Sequence, residues 1–226
     1  MNRIAVLQPS YLPWLGFFEQ MMSVDTFVFY DDVQYTKNDW RNRNRIKTKE
    51  GFLWLTIPVK GSIHLQIREV RIDSSKKWQE KHRKTITQIY SKSPYFEEVS
   101  TFLEPLWTNR YEFLLDVIRD SIVLIAEYLN IETKIILSSE LHVTGDKNEK
   151  LVNICKVLSA SQYYSGLAAQ NYLDNTLFKE NGIEVAFQHY KHPVYPQTQG
   201  DFVSHLSTID LLFNCGEKSK EIIKGY

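Results

Sequence analysis

Cysteine is scarce in this sequence, and its two cysteines lie far apart. Neither Cys155 nor Cys215 has a second Cys at C-x-x-C spacing or a His at the spacing of metal ligands. We therefore expect neither a disulfide framework nor a zinc knuckle. A chain of 226 residues buries roughly 70% of its unfolded surface, which is enough for a core that needs no such cross-links.

Long apolar runs are also missing. The first one, Ile4–Leu7, turns polar at Gln8 and is too short for the apolar region of a signal peptide. The segment 113–129 is longer, but four charged residues interrupt it, whereas a membrane span needs about 20 mainly apolar residues. The sequence therefore predicts a cytoplasmic protein with no membrane insertion.

An excess of either charge is absent as well, since 27 Lys and Arg balance 27 Asp and Glu. A neutral chain does not coat a nucleic-acid polymer by bulk electrostatics, so partners must be recognised locally. Neither glycine-rich phosphate-binding motif, G-x-G-x-x-G or G-x-x-x-x-G-K-[ST], occurs in the sequence. No G-x-S-x-G nucleophile elbow is present either. The composition leaves the oligomeric state open.

The order of apolar runs predicts an α/β fold in one domain over residues 1–226, with a mainly parallel, Rossmann-like sheet flanked by helices. Strand Ile4–Leu7, a helix opened by Pro13 and strand Thr26–Tyr30 form a β-α-β unit. Helical elements are expected in the middle and C-terminal parts. Further helices are predicted at 77–90, 109–129, 149–158, 170–181 and 207–213, and further strands at 52–59, 66–72, 135–137 and 183–187.

The densest cluster of polar side chains follows the first β-α-β unit. It consists of Trp40, Arg41, Asn42, Arg43, Asn44, Arg45 and Lys47. In an extended segment, the three arginines project to one side and the two amides to the other. Guanidinium groups match phosphate bidentately, so the cluster predicts a site for a phosphate-bearing ligand. The alternative is a solvated edge strand that uses charge against aggregation.

Two loops are expected at one edge of the sheet, where open α/β sheets bind ligands. The first contains Gln8, Ser10 and Tyr11 just before a helix N-terminus, which suits an anion; a rigid turn between two prolines is the alternative. The second contains Asp31 and Asp32. Their carboxylates suit Mg²⁺, a ribose or an amine, or they cap the turn.

Three further groups are candidates. His82 lies on the apolar face of the predicted helix 77–90, where it is either a general base or a core histidine. The segment Tyr164–Gly166, which includes Ser165, is predicted as a substrate or phosphate loop before a helix. His192 and Gln197 occupy a proline-containing loop that serves substrate binding or loop packing, because no carboxylate or Cys completes a metal site there.

Several motifs together resemble the WbqC-like protein family. They are Gln8–Phe18, Asp31–Gln34, Trp40–Lys47, Trp54–Val59, Tyr164–Gly166 and Ile209–Gly216. The resemblance implies a protein of bacterial O-antigen and other surface-polysaccharide pathways that transfers glycine or another aminoacyl group to an amino sugar. The plan of strand, polar loop and acidic strand end is also similar to adenylate-forming nucleotidylyltransferases. Their H-x-G-H pair is missing, since Tyr11–Trp14 stands in its place.

The leading hypothesis is therefore a transferase that forms an amide on the amine of a nucleotide-linked sugar. His82 or Asp32 would take the amine proton. The diphosphate would bind Arg41, Arg43 and Arg45, and hydroxyl groups would contact Gln8, Tyr11, Asn42, Asn44, Tyr164 and Ser165. The cofactor is open, with ATP and Mg²⁺ implied only if an adenylate is formed. Alternatives are a nucleotide-sugar binding protein without catalysis and an adenylate-forming nucleotidyltransferase.

Overall fold

The computed structural model describes residues 2–61 and 64–225. Its strands are β1 (Arg3–Leu7), β2 (Thr26–Phe29), β3 (Arg43–Thr48), β4 (Gly51–Thr56), β5 (Val59–Lys60), β6 (Arg71–Ile72), β7 (Lys134–Leu137), β8 (Gln162–Gly166) and β9 (Glu184–Gln188). Its α-helices are α1 (Leu15–Met22), α2 (Trp78–Tyr90), α3 (Phe96–Leu103), α4 (Pro105–Thr108), α5 (Leu114–Tyr128), α6 (Lys147–Val157), α7 (Asn175–Glu180), α8 (Thr208–Cys215) and α9 (Ser219–Lys224).

The chain divides into two compact units. The sheet unit is built from the described residues of Met1–Gln8, Glu19–Asp32 and Glu132–Tyr190. The hairpin unit is built from the described residues of Pro9–Phe18, Val33–Ile131 and Lys191–Tyr226. The prediction of one domain over residues 1–226 stays a prediction.

The sheet unit contains a five-stranded sheet in the order β7-β2-β1-β8-β9. Each of its four strand pairs is parallel. The chain lays down one half of the sheet outward from β1 and then returns to the other side of β1 with β8, so the order reverses between β1 and β8. The predicted α/β fold with a Rossmann-like parallel sheet flanked by helices is confirmed.

The core of the sheet unit explains the apolar strand sequences. Ile4 and Val28 are buried in one cluster with Ile154 and Cys155 of α6 and with Phe178 of α7. A strand covered on both faces is apolar on both faces, which is why β1 and β2 are continuous rather than alternating runs. Helix α6 begins at Lys147, two residues before the predicted start at Glu149, because the Asp146 side chain caps it by accepting from the amides of Asn148 and Glu149.

One strand of this sheet was predicted wrongly. The segment Tyr163–Gly166 was expected to be a loop, but it belongs to β8, which pairs with both β1 and β9. The polar residues that favoured a loop are satisfied inside the sheet: Gln162 donates to Glu184 at 2.9 Å and accepts from Arg3. A buried strand tolerates such residues when their hydrogen bonds are made.

The hairpin unit corrects two further predictions. The expected strand 66–72 is a 3₁₀ turn, Ile67–Glu69, followed by the short strand β6. The Glu69 carboxylate accepts a hydrogen bond from the Gln66 backbone at 2.8 Å, and such local bonds compete with strand pairing. The expected helix 109–129 begins only at Leu114, because the Glu112 carbonyl accepts from the Ile72 amide of β6.

The C-terminal third departs from prediction at two places. The expected helix 170–181 is interrupted, because Asp174 caps a new helix, α7, by accepting from the amides of Thr176 and Leu177. Ser207 and Gly216 bound α8 as predicted, but a further helix, α9, follows it. Across residues 2–61 and 64–225, none of the helices is both long and apolar enough to span a bilayer.

Candidate functional site

Strands β3 and β4 form an antiparallel hairpin that carries the predicted arginine cluster. Arg43 pairs with Thr56 and Arg45 pairs with Trp54. The amide side chains of Asn42 and Asn44 are buried, whereas the three arginines are only partly buried. The alternation expected for an extended segment is therefore present, with amides inward and guanidinium groups outward.

The inward amides hold the hairpin to a neighbouring segment of the same unit. Asn44 Nδ2 donates to the carbonyl oxygens of Tyr11 and Leu12 at 3.2 and 2.7 Å. Asn42 Nδ2 donates to the Ile57 carbonyl at 2.7 Å. Leu12 has a φ of 45°, a left-handed conformation that a non-glycine residue adopts only when its surroundings enforce it. The two predicted hydroxyl-binding amides therefore have structural partners.

The outward side chains form an aromatic–arginine ladder, which consists of Trp40, Arg43, Arg45, Phe52 and Trp54. The Arg43 guanidinium lies 4.3 Å from the centre of the Trp54 ring, and that of Arg45 lies 4.7 Å from the Phe52 ring. The Trp40 ring lies 5.3 Å from the Arg45 guanidinium. These distances are within the range of cation–π attraction.

The ladder carries positive charge that its own acids do not neutralise. Arg43 and Arg45 donate to backbone carbonyls, those of Asn38 and His205. Within the described part of the chain, no carboxylate oxygen lies within 4.0 Å of either guanidinium group. Burial lowers the pKa of Arg45, but a guanidinium group stays protonated in proteins. The ladder is therefore suited to an anionic ligand.

Arg41 differs from the other two arginines. Its Nη2 lies 3.5 Å from the Asp39 carboxylate, and burial lowers its pKa while Asp39 opposes that effect. Arg41 thus already faces a counter-charge inside the protein.

Lys47 and Gln197 lie in a buried network around Asp210. The carboxylate of Asp210 accepts from Tyr90 at 2.7 Å, from Tyr195 at 2.8 Å and from Gln197 at 2.9 Å. Burial raises the pKa of Asp210, and these hydrogen bonds and the charge of Lys47 oppose the rise. Lys47 Nζ donates to the Thr48 carbonyl at 3.0 Å. Sequence reasoning did not select Asp210 as a site residue, although it lies in the family motif Ile209–Gly216, because nothing local links it to Lys47 or Gln197.

Tyr11 and His82 meet in the interior of the hairpin unit. His82 Nε2 lies 3.2 Å from the Thr56 carbonyl, which can only accept, so Nε2 carries the hydrogen. Nδ1 therefore accepts from the Tyr11 hydroxyl at 3.0 Å. Burial lowers the pKa of His82 to about 4, although the Thr56 bond opposes it. Both ring nitrogens are engaged, which fits the core-histidine alternative.

His192 lies in a stack of rings with Trp14 and His205. Its Nδ1 donates to the Pro193 carbonyl at 2.8 Å and its Nε2 accepts from the His205 amide at 3.0 Å. The His205 ring lies 5.4 Å from that of Trp14 and 4.7 Å from that of His192. Burial lowers the pKa of His192, and the neighbouring His205 lowers it further. Ser10, another predicted site residue of this unit, is also buried.

The carboxyl ends of β2 and β7 bring together a carboxylate cluster, which consists of Asp31, Asp32, Ser138, Ser139 and Lys150. Asp31 accepts from the Ser139 amide at 3.0 Å and from its hydroxyl at 2.6 Å. The Ser138 hydroxyl lies 3.0 Å from Asp31 and 2.5 Å from Asp32. Lys150 Nζ lies 2.7 Å from the other oxygen of Asp32.

Sequence reasoning found the two aspartates but missed their partners. Ser138 and Ser139 follow the predicted strand 135–137. A prediction that this strand pairs with β2 in parallel would have placed both serines beside the aspartates. Lys150 comes from α6, and nothing local links it to Asp32. Its ammonium group also lies 5.1 Å from the Tyr30 ring.

Two more predicted site residues lie where the strand order of the sheet reverses. Gln8 follows β1, and Gly166 ends β8, so both lie at carboxyl ends of the strands that flank the reversal. Ligands of open α/β sheets bind at such a point. Ser165 is buried within β8, and the Tyr164 carbonyl accepts from Gln20 at 3.1 Å. No group of three His, Cys, Asp or Glu side chains in residues 2–61 and 64–225 is arranged to hold a metal ion.

The fold and these clusters define an α/β protein with a Rossmann-like sheet and a basic, aromatic hairpin. The chain belongs to the WbqC-like protein family, whose model matches residues 8–222. A relative, the uncharacterized protein Rv1507c of Mycobacterium tuberculosis (strain ATCC 25618 / H37Rv), is 37% identical over 228 residues, covering 99% of this chain and 98% of the relative. The predicted family is confirmed, and its match includes both the ladder and the carboxylate cluster.

Proposed function

We propose that this protein is an acyl or aminoacyl transferase, with glycine as the model donor, that forms an amide on an amino sugar carried by a nucleotide. The product would enter bacterial O-antigen or other surface-polysaccharide synthesis, and the reaction would take place in the cytoplasm. The observation that carries the proposal is the outward pair Arg43 and Arg45, which have no acidic partner in the described chain. Guanidinium forks of this kind match a diphosphate.

The reaction balances as an acyl transfer. The lone pair of the sugar amine attacks the carbonyl carbon of the activated donor, and a C–N bond forms. The bond from that carbon to its leaving group breaks, and the leaving group departs with the electron pair. A base takes the proton that the nitrogen loses. The donor is activated either elsewhere or as an adenylate, in which case ATP is a second substrate.

Two residues are candidate bases, and each is considered by itself. Asp32 is 13% exposed, and its carboxylate lies 2.7 Å from Lys150 Nζ. His82 is 2% exposed, and burial lowers its pKa to about 4, so it is neutral at pH 7 but weakly basic. Replacing each residue separately, as Asp32→Asn and His82→Gln, tests the assignment in a transfer assay.

The first experiment tests the shared premise of ligand binding. Isothermal titration calorimetry with UDP- and TDP-sugars would compare the wild type with Arg43→Ala. Arg119→Ala, which removes an exposed arginine of α5, is the matched control. We expect at least about tenfold weaker binding for Arg43→Ala, the effect of losing one charge-assisted hydrogen-bonding group. Unchanged affinity would remove the arginines from the site.

The second experiment separates catalysis from binding. Mass spectrometry would follow amino-sugar nucleotides incubated with ATP and glycine, and in parallel with acyl thioesters. The proposal expects a mass increase of one aminoacyl or acyl group. Binding without any increase across the panel would instead favour the second candidate, a nucleotide-sugar binding protein, which the outward arginines support equally. Release of pyrophosphate would reveal adenylate formation directly.

A further inference from the structure

We propose that the rings of the aromatic–arginine ladder form a nucleobase subsite, in which Trp40 and Trp54 stack the base while Arg43 and Arg45 bind the adjacent phosphates. The inference rests on the proposed function, because it adds a binding site for the base beside the arginines that bind the diphosphate. The ligand class it names is a nucleoside diphosphate, free or attached to a sugar.

The pairing register of the hairpin produces an alternating order of cation and ring. Trp54 lies directly opposite Arg45 and is also the ring over which Arg43 lies, at 4.3 Å. Arg45 in turn lies over Phe52, which is two residues from Trp54 on the same face of β4, at 4.7 Å. Along the outer face of the hairpin, the side chains therefore lie in the order Arg43, Trp54, Arg45, Phe52. Contact with the rings restricts the positions of both guanidinium groups, which preorganises their donors.

The rings themselves remain accessible. Trp40, Phe52 and Trp54 are 39%, 45% and 38% exposed, although aromatic side chains of this size are mostly buried. The Trp40 and Trp54 ring centres are 5.2 Å apart, with their planes inclined by 44°. Two indoles at this spacing present a joint apolar surface beside the guanidinium groups. A nucleotide offers both required features, a flat π-system and a phosphate, within one molecule.

The edge-strand alternative does not account for these rings. Charge alone protects an edge from aggregation, whereas exposed aromatic rings promote association. Trp40, Phe52 and Trp54 would therefore be a liability on a strand whose arginines served only protection. A surface that keeps both groups together requires a ligand that uses both.

Stacking also predicts how selective the subsite is. Every base has a π-face, so stacking tolerates different bases. We expect UDP, TDP and GDP to bind with affinities within about tenfold of one another. Selectivity for one sugar nucleotide would then come from contacts to the sugar.

The test uses titration calorimetry of the full chain with two probes, UDP and inorganic pyrophosphate. Trp54→Ala should weaken UDP binding by about 5- to 100-fold, the range for one base–aromatic stack, and weaken pyrophosphate binding by a much smaller factor, because Arg43 loses only its supporting ring. Trp54→Phe should retain most of the UDP affinity, because a smaller ring still stacks. Tyr172→Ala removes an exposed aromatic ring of the sheet unit and should bind both probes like the wild type.

Three results would overturn the inference. Wild-type affinity for UDP in Trp54→Ala would show that the ring does not contact the base. An equal loss for UDP and pyrophosphate would show that Trp54 only supports Arg43. A loss confined to a UDP-sugar, with UDP itself unaffected, would show that the ring stacks the sugar. In each of these cases the nucleotide still binds the wild type, whereas failure of the proposed function would appear as no binding of any UDP-sugar.

Discussion

The two charged clusters of this protein differ in the partners of their charged groups. In the carboxylate cluster of the sheet unit, Asp31 accepts from Ser139 and lies within hydrogen-bond distance of Ser138, and Asp32 is paired with Lys150. In the ladder of the hairpin unit, Arg43 and Arg45 lie over aromatic rings. These two guanidinium groups donate hydrogen bonds to backbone carbonyls rather than to carboxylates.

The difference separates charged groups whose partners the fold supplies from guanidinium groups that are open to an anionic ligand. A buried charge is tolerated when the protein supplies its counter-charge and hydrogen bonds, and its removal then costs stability. A surface charge held by rings contributes little to stability and keeps its field for an incoming anion. The zero net charge of the chain thus conceals local groups of like charge.

The largest expected effect is in the carboxylate cluster. Asp31→Ala removes the acceptor of two hydrogen bonds, from the Ser139 amide at 3.0 Å and from its hydroxyl at 2.6 Å. Hydrogen bonds to a charged group contribute about 1.5–3 kcal/mol each, so we expect a loss of about 4 kcal/mol in the free energy of unfolding, measured in urea. Ser139→Ala, which removes one hydroxyl, should cost less than half of that. A cost below 1 kcal/mol for Asp31→Ala would erase the contrast between the clusters.

The next effect is a pH dependence in the hairpin unit, where His82 is buried without charge. Burial lowers its pKa to about 4 in the folded state, below the value of about 6.5 for an unfolded chain. The unfolded state therefore binds the proton first as the pH falls. Stability is fully present above pH 6.5 and is lost progressively down to about pH 4, by about 3 kcal/mol at the limit.

His82→Gln isolates this contribution from other titrating groups. Urea denaturation of both proteins between pH 4 and pH 7.5 would show whether the slope in this window belongs to His82. The variant should lose most of the difference in stability across the window. Parallel curves for the two proteins would contradict a neutral, buried imidazole.

The third effect concerns the two inward amides at the start of strand β3. Asn44→Ala removes the donors to the Tyr11 and Leu12 carbonyls and leaves both buried, so we expect a loss of about 2 kcal/mol in stability. Asn42→Ala removes one such bond and should cost about half as much. Thermal or urea unfolding measures both. Equal stability of Asn44→Ala and wild type would indicate that the amide faces a ligand rather than the backbone.

The parts of the fold that followed from the sequence were those encoded by local patterns. Strands β1, β2 and β7 are runs of β-branched and aromatic residues, and α2 has apolar residues at helical spacing. Strand β8 was missed because Gln162 and Ser165 make it polar, and the partners of Gln162 lie on the neighbouring strands of the sheet. The helix predicted from residue 109 begins only at Leu114, because the segment before it pairs with β6 through its backbone.

The candidate site divides along the same line. The period of two in residues 41–45 predicted which side chains project together, because alternation in a strand is local. The partners of those side chains were not predictable, since the register that places Trp54 beside Arg43 depends on the hairpin turn. Ser138 and Lys150 reach the aspartates from distant parts of the chain. Local pattern thus identifies the charged groups, and tertiary pairing decides what each charge does.

The smallest expected effect on stability is also the most informative for the ladder. Arg43→Ala should lower the free energy of unfolding by at most about 1 kcal/mol, because an exposed cation–π contact contributes about 0.5–1 kcal/mol. A double-mutant cycle of Arg43→Ala with Trp54→Ala should give a coupling energy in the same range. Urea denaturation of the four proteins measures both values. If Arg43→Ala cost several kcal/mol, the ladder would stabilise the fold as the carboxylate cluster does, and its arginines would no longer stand out as charges kept for a ligand.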